Sequence, residues 1–281
     1  MIISQTPLRI TLGGGGSDLA ENPLCITAAI QFYVYVLVNT NTSNIYNLRY
    51  SSNEQVHTIP EVKHTLFRSC LEEINAKPGL EIVSVADIDS NSGLGSSGAF
   101  TIGLLRALQP HKTLQSIVSQ ACKLDTGLQD QHAAAYGGLR AWTFDSPEPP
   151  QSLSVPLWAD SWYLYDTGLR RDASETLRTN RRPSQTLLRA QATEMLEILH
   201  SGTPQEFGEA LTAQWQAKLR TAPTETHLHI DRQINTLLSD GAYGAKLIGA
   251  GDGGMILACQ KTPSQGATSI RISSHGTRIL Q

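Results

Sequence analysis

The chain has 281 residues, of which 40% are hydrophobic and 17% charged, with 22 basic against 25 acidic side chains and a formal net charge of −3. That length suits one large core or two ordinary domains, and the balance of apolar to charged residues is that of a globular protein. Near-neutral charge argues against nucleic acid or an anionic membrane as partner, yet it leaves room for a small anionic ligand held at a local basic site.

Met1 opens "MIISQTPLRI", which has neither a basic start nor a continuous apolar run, so no secretory leader is expected and a cytoplasmic location is. "PLRITL" and "CITAAIQFYVYVLVN" read as strands joined by a glycine-rich bend at Gly13–Gly16. The run "FYVYVLV" at 32–38 is too short to span a bilayer and reads as a buried strand. "LEIVSVADI" (80–88) is a further strand, rich in β-branched residues. It leads into "SNSGLGSSGAF" (90–100) and then "AFTIGLLRAL", where Phe100, Leu104, Leu105 and Leu108 recur at helical spacing.

"SIVSQACKLD" continues as helix, and "QDQHAAAYGG" is a short helix stopped by Gly137 and Gly138. "DSPEPPQS" (145–152) is a proline-rich turn or hairpin loop. Beyond Asp166 the texture becomes helical, in "SQTLLRAQATEMLEILHSG", "FGEALTAQWQAKLRTA" and "IDRQINTLLSDGA". "AKLIGAGDGGMILAC" then sets a second glycine turn before a strand. Two α+β halves are expected, residues 1–155 and 156–281. The four cysteines are scattered without a C-x-x-C pair and read as reduced thiols. "HLH" at 227–229 reads as a solvated pair, since i, i+2 spacing brings two rings to one side only on a strand and no third metal ligand lies near.

The loop Gly93-Leu94-Gly95-Ser96-Ser97-Gly98 matches the dinucleotide fingerprint G-x-G-x-x-G, but no acid follows at the spacing a ribose requires. No Gly-Lys-Ser/Thr follows for a Walker A loop, and Ala99 breaks the G-x-S-x-G elbow of the serine hydrolases. What remains is a cradle for an anion, made from bare N–H groups and a helix N-terminus, with two hydroxyls to add hydrogen bonds or ligate Mg²⁺. The alternative is a structural turn in which Ser96 or Ser97 caps the helix.

Two other stretches favour the cradle. "PLRITLGGGGSDLA" places Arg9 on a strand that runs into a glycine bend ending in Ser17 and Asp18. An Arg there can neutralise charge on a phosphoryl group, and an Asp can accept sugar hydroxyl protons. A surface ion pair and a turn-forming Asp are the plainer readings. "LQDQHAAAYGG" sets Asp130 among amides and small residues, as for a carboxylate in a tight pocket, or simply as an Asp at a helix start.

Taken in order with "KLIGAGDGGMILA" and "TGLRRDASE", these stretches resemble the GHMP kinases, the superfamily of galactokinase, homoserine kinase and mevalonate kinase. Within it they are most similar to the D-glycero-D-manno-heptose 7-phosphate kinases. The resemblance implies an α+β, two-domain GHMP fold: an N-terminal domain like a ribosomal-protein domain and a ferredoxin-like C-terminal domain. It implies ATP and Mg²⁺, with the triphosphate over Gly93, Leu94, Gly95, Ser96, Ser97 and Gly98. Asp130 matches the catalytic aspartate, Arg9 the arginine that stabilises the transferred phosphoryl, and Ser97 a Mg²⁺ ligand. Gly15, Gly16, Ser17, Asp18, Arg171 and Gly251 fall where the sugar is bound. The implied partners are ATP and a sugar phosphate, with a homodimer as a candidate assembly.

The chain departs from the family pattern at four places. Asp89 and Asn91 stand where Pro and Gly usually precede the loop, and Asn tolerates positive φ. Asp125 takes the place of a metal-ligating Glu, and only "TGL" separates it from Gln129. Asp252 replaces a glycine and adds negative charge near the phosphates. The C-terminus is short for this branch. A basic pocket for a 7-phosphate has Arg49, Lys63, Arg170, Arg171 and Arg178 as contributors to consider.

Overall fold

Two long strands organise the N-terminal half: β1 (Ile2–Gly13) and β2 (Cys25–Thr40), paired antiparallel over most of their length. The computed structural model describes residues 1–17, 23–124, 127–144, 150–170, 183–221, 223–249 and 251–280. Asp18, Asp125, Arg171 and Arg178 lie outside the described residues. Pro7 cannot donate to a ladder, and the β1–β2 register shifts between Pro7 and Leu8. A second shift between Thr11 and Gly13 leaves Leu12 as a bulge, where the strand bends into the glycine segment.

On its other edge β2 pairs first with β6 (Leu139–Trp142) and then with β5 (Leu80–Ala86). The first sheet runs β12-β1-β2-β5-β3-β4, where β3 is Tyr46–Arg49, β4 Asn53–Val56 and β12 Arg278–Ile279. β6 forms a hairpin with β7 (Gln151–Leu153). In the 32–38 run Val34, Val36 and Val38 are buried while Phe32, Tyr33, Tyr35 and Leu37 are half-buried. That stretch is therefore a strand with one covered face rather than one buried on both sides.

The covered face carries α1 (Thr65–Glu73), α2 (Ser96–Leu108), α3 (Leu114–Leu124) and α4 (Gln129–Tyr136). α2 lies at the centre, against β1, β2 and the other three helices, and is accordingly apolar nearly all round. The second sheet, β11-β8-β10-β9, is built from β8 (Trp162–Asp166), β9 (Gly244–Leu247), β10 (Met255–Cys259) and β11 (Thr268–Ser269). Of the helices that follow β8, α5 (Gln185–Ser201) packs on β1, β2 and α6 (Pro204–Thr221), while α6 and α7 (Glu225–Ser239) pack on β9.

The two halves are not separate in sequence. After β11 the chain returns to the first sheet: Ser273 exchanges backbone bonds with Ala29 and Gly138, Thr277 N–H reaches the end of α4, and β12 pairs with β1. Among the described residues no helix is long and apolar enough to cross a membrane.

Candidate active site

β5 ends at Ala86 and the chain turns through Asn91, Gly93 and Gly95, at φ of 62°, 79° and 74°, before α2 begins. Asn91 thus takes the left-handed conformation that its residue type tolerates. The N-cap of α2 is Gly95, with no side-chain cap, and the first turn holds no acid. Neither Ser96 nor Ser97 caps the helix. Its first N–H groups and its positive dipole end are left for an anion.

Arg9 ties this loop to α4. Its backbone N–H donates to Leu94 C=O at 2.9 Å and its Nη1 to Gly93 C=O at 2.6 Å. Its Nε and Nη2 lie 2.8 and 2.7 Å from one oxygen of Asp130, Oδ1. The guanidinium is only 5% exposed, the carboxylate 21%, so the pair is fixed but reachable. Oδ2 accepts no side-chain hydrogen bond among the described residues. Gly98 completes the junction: a Cβ there would lie 2.7 Å from Asp130 Cβ and 3.1 Å from its carbonyl carbon. The loop glycine is a packing requirement that lets α2 and α4 touch.

Beside Asp130, Gln129 Oε1 accepts from Thr11 Oγ1 (3.2 Å) and Cys25 Sγ (3.0 Å), fastening α4 to both long strands. The bulged Leu12 C=O is satisfied from the second half, by Lys246 Nζ and Gln214 Nε2, each at 2.9 Å. Lys246 also donates to Gln214 Oε1 at 2.7 Å. Burial brings its pKa down to about 7; Lys218 and Arg9 add to the effect and Cys25 opposes it. Sequence reasoning missed Lys246 and Gln214. The only signal was a lysine just before a glycine turn, and a bulge cannot be read from letters.

The second glycine turn, between β9 and β10, packs on the first. Met255 N–H donates to Ser92 C=O at 3.0 Å, and Cβ atoms on Gly93 and Gly254 would lie 2.5 Å from Ile248 O and 2.3 Å from Ser92 O. Gly251 sits in this turn at φ 127° and Asp252 at φ 59°. Asp252 does not face outward as a loose charge: it is 5% exposed, and its Oδ1 lies 3.1 Å from His227 Nε2. His227 is 1% exposed, so the expected solvated histidine pair is wrong for this member; His229 alone is exposed. The pair sits on α7, whose period turns residues two apart to different sides.

Gly15, Gly16 and Ser17 follow β1, with Ser17 N–H bonded to Gly14 C=O and Ser17 Oγ donating to Leu24 C=O. An open groove of about 640 Å³ runs between Ser17 and α5, lined by Gln185, Thr186, Arg189, Thr193 and Glu194 among others. Two of the basic residues considered for a distal phosphate are engaged elsewhere: Arg49 pairs with Glu81, and Arg170 with Asp166. Hydrogen bonding to Asp166 raises the Arg170 pKa, and Asp89 adds to this, so the Asp89 charge bears on Arg170.

Two family models match the chain, GHMP kinases N terminal domain at residues 62–138 and GHMP kinases C terminal at 195–268, together more than half of it. The chain belongs to the GHMP kinases, a family of phosphotransferases, and has their two-domain α+β fold. It is 24% identical over 303 residues to a D-glycero-alpha-D-manno-heptose 7-phosphate kinase of Campylobacter jejuni, covering 91% of this chain and 88% of the relative. It is 28% identical over 222 residues to an L-fucokinase/L-fucose-1-P guanylyltransferase of Bacteroides fragilis, 69% of this chain but 23% of that larger protein. Among solved structures, a D-glycero-D-manno-heptose 1-phosphate kinase from Bacteriodes thetaiotaomicron superposes with a TM-score of 0.76 at 19% identity, covering 100% of this chain and 99% of that one. Lactococcus lactis galactokinase complexed with galactose superposes with a TM-score of 0.79 at 14% identity, over 99% of this chain and 94% of that one.

Proposed function

We propose that this protein is an ATP- and Mg²⁺-dependent sugar kinase that phosphorylates the anomeric hydroxyl of D-glycero-D-manno-heptose 7-phosphate, giving the 1,7-bisphosphate. The observation that carries the reading is Arg9, which holds Asp130 Oδ1 with two nitrogens and the Gly93 carbonyl with the third. One side chain thereby fixes the acceptor-side carboxylate against the phosphate-side loop. Phosphoryl transfer asks a protein mainly for such alignment and for charge neutralisation.

In this reading the triphosphate rests on the uncapped first turn of α2, and Asp130 Oδ2 orients the sugar hydroxyl and accepts its proton. Arg9 offsets negative charge on the phosphoryl group in flight. Gly15, Gly16, Ser17, Asp18, Arg171 and Gly251 surround the sugar, and Arg189 brings a guanidinium to the groove beside Ser17 for the distal phosphate. No group of three His, Cys, Asp or Glu gathers among the described residues. Mg²⁺ commonly takes one or two carboxylates together with substrate phosphates, and Ser97 and Asp125 are the residues that would serve as its protein ligands. The ion would neutralise phosphate charge.

The test is ADP release with Mg²⁺-ATP across D-glycero-D-manno-heptose 7-phosphate, free heptose, mannose, galactose and fucose. Turnover confined to the heptose phosphate is expected, and Asp130→Asn should lower it at least about a hundredfold with the fold intact. Normal turnover by that variant would remove Asp130 from the reaction. The fucokinase match favours fucose as the second reading, in which fucose alone supports ADP release.

A further inference from the structure

Asp252 stands where the sequence resemblance leads one to expect a glycine, in a turn that touches the 93–98 loop at both of its ends. Gly249 there lies so close that a Cβ would sit 2.8 Å from Gly93 Cα, while Met255 N–H bonds Ser92 C=O at 3.0 Å. A carboxylate at the tip of this turn, left to itself, would oppose a triphosphate bound a few residues away. The left-handed backbone at φ 59° is one that Asp adopts at modest cost, so the charge is the greater problem.

The carboxylate is turned into the second half of the molecule. Oδ1 accepts from Thr224 Oγ1 at 3.2 Å and lies 3.1 Å from His227 Nε2, an electrostatic contact. Both partners start α7. Thr224 is its N-cap, accepting from His227 N–H at 3.1 Å, and His227 stands in the first turn. A helix N-terminus is where the backbone dipole favours a negative charge. The His227 ring is itself held, edge-on to Trp215 at 5.8 Å, and Trp215 Nε1 is anchored on Asp231 Oδ1 at 2.8 Å.

We propose that His227, with Thr224, is a positioning residue for nucleotide binding: it holds the Asp252 carboxylate at the α7 N-terminus and so keeps that charge off the phosphate loop. Asp252 and His227 then form one device, and the turn keeps its place against Ser92 and Gly93. The inference rests on the kinase reading.

Calorimetric titration of the full chain with Mg-ADP separates the two. His227→Leu should weaken Mg-ADP about tenfold, because the carboxylate loses its contact with Nε2. Asp252→Asn alone should bind within about twofold of the parent, and His227→Leu/Asp252→Asn should return to that level. A histidine needed only for packing would leave the double variant as weak as the single one, and that outcome, or an unchanged His227→Leu, overturns the proposal. Should His227→Leu fail to fold, Thr224→Val replaces it, with about threefold weakening that Asp252→Asn cancels. Parent protein that does not bind Mg-ADP at all would sink the kinase reading and this inference with it. Binding by the parent with no rescue sinks the inference alone.

Discussion

In the 93–98 loop Gly93 has a positive φ of 79°, while Gly98 is an ordinary helical residue whose missing side chain admits Asp130. In the turn between β9 and β10 the residues 251 to 254 all have positive φ, and one of them is an aspartate. The first turn therefore needs glycine for two separate reasons, conformation and contact. In the second the two demands fall on the same residue, as at Gly254, whose added Cβ would lie 2.3 Å from Ser92 O, and at one position a residue with a compact polar side chain serves, provided its charge is placed elsewhere. Equal letters in a motif do not have equal jobs.

Gly98→Ala tests the contact side and should have the largest effect. The new Cβ meets backbone and Cβ of Asp130, which cannot move without taking the carboxylate with them. Turnover should fall about a hundredfold, as displacement of a reacting group by about 1 Å does, with nucleotide affinity changed far less. Steady-state kinetics beside Mg-ADP titration would show the split. Equal losses in both would mean that Gly98 serves the phosphate loop instead.

Gly254→Ala tests the two demands where they coincide. With φ at 102° and Ser92 O at 2.3 Å from the added Cβ, it should cost about 2 kcal/mol of stability by urea unfolding. The two turns would be pushed apart, so nucleotide affinity should fall in step with stability. Undiminished stability would show that the turns do not support one another.

Lys246→Met is directed at the side chain that joins the second half to the bulge beside these turns, and its effect is read in pH dependence. Burial lowers the folded-state pKa of Lys246 from 10.5 to about 7. Between those values the unfolded chain carries a proton that the folded protein lacks, so stability rises with pH by roughly 1 kcal/mol per unit from this group. Below about pH 7 both states hold the proton and the penalty of burial is full and constant. Urea unfolding from about pH 7 to about pH 10 should show the rise in the parent and its loss in Lys246→Met. A parallel slope in both would place the titration elsewhere.

Much of the architecture was legible because it is local. β-Branched runs, helical spacing in 100–108 and the stop at Gly137 each depend on a few neighbouring residues, and β5, α2 and α4 lie where those signals fall. Arg9 and Asp130 were each singled out from their own segments, but their contact was not legible, since 121 positions separate them and neither spacing nor propensity couples residues so far apart. The histidine pair was misread because its surroundings come from α6 and the second turn, not from its own segment.

By itself the sequence determined the family, the order of the elements and the backbone types that the two glycine turns demand, because φ preferences and hydrophobic periods are short-range properties of the chain. Only the tertiary structure decided where charges go. It set Asp252 on His227 and Lys246 on the Leu12 carbonyl. The last runs opposite to what its residue type suggests, since lysine is ordinarily exposed and Lys246 is buried. Electrostatic partnership depends on distance through space and on burial, and both are fixed only when segments distant in sequence pack together.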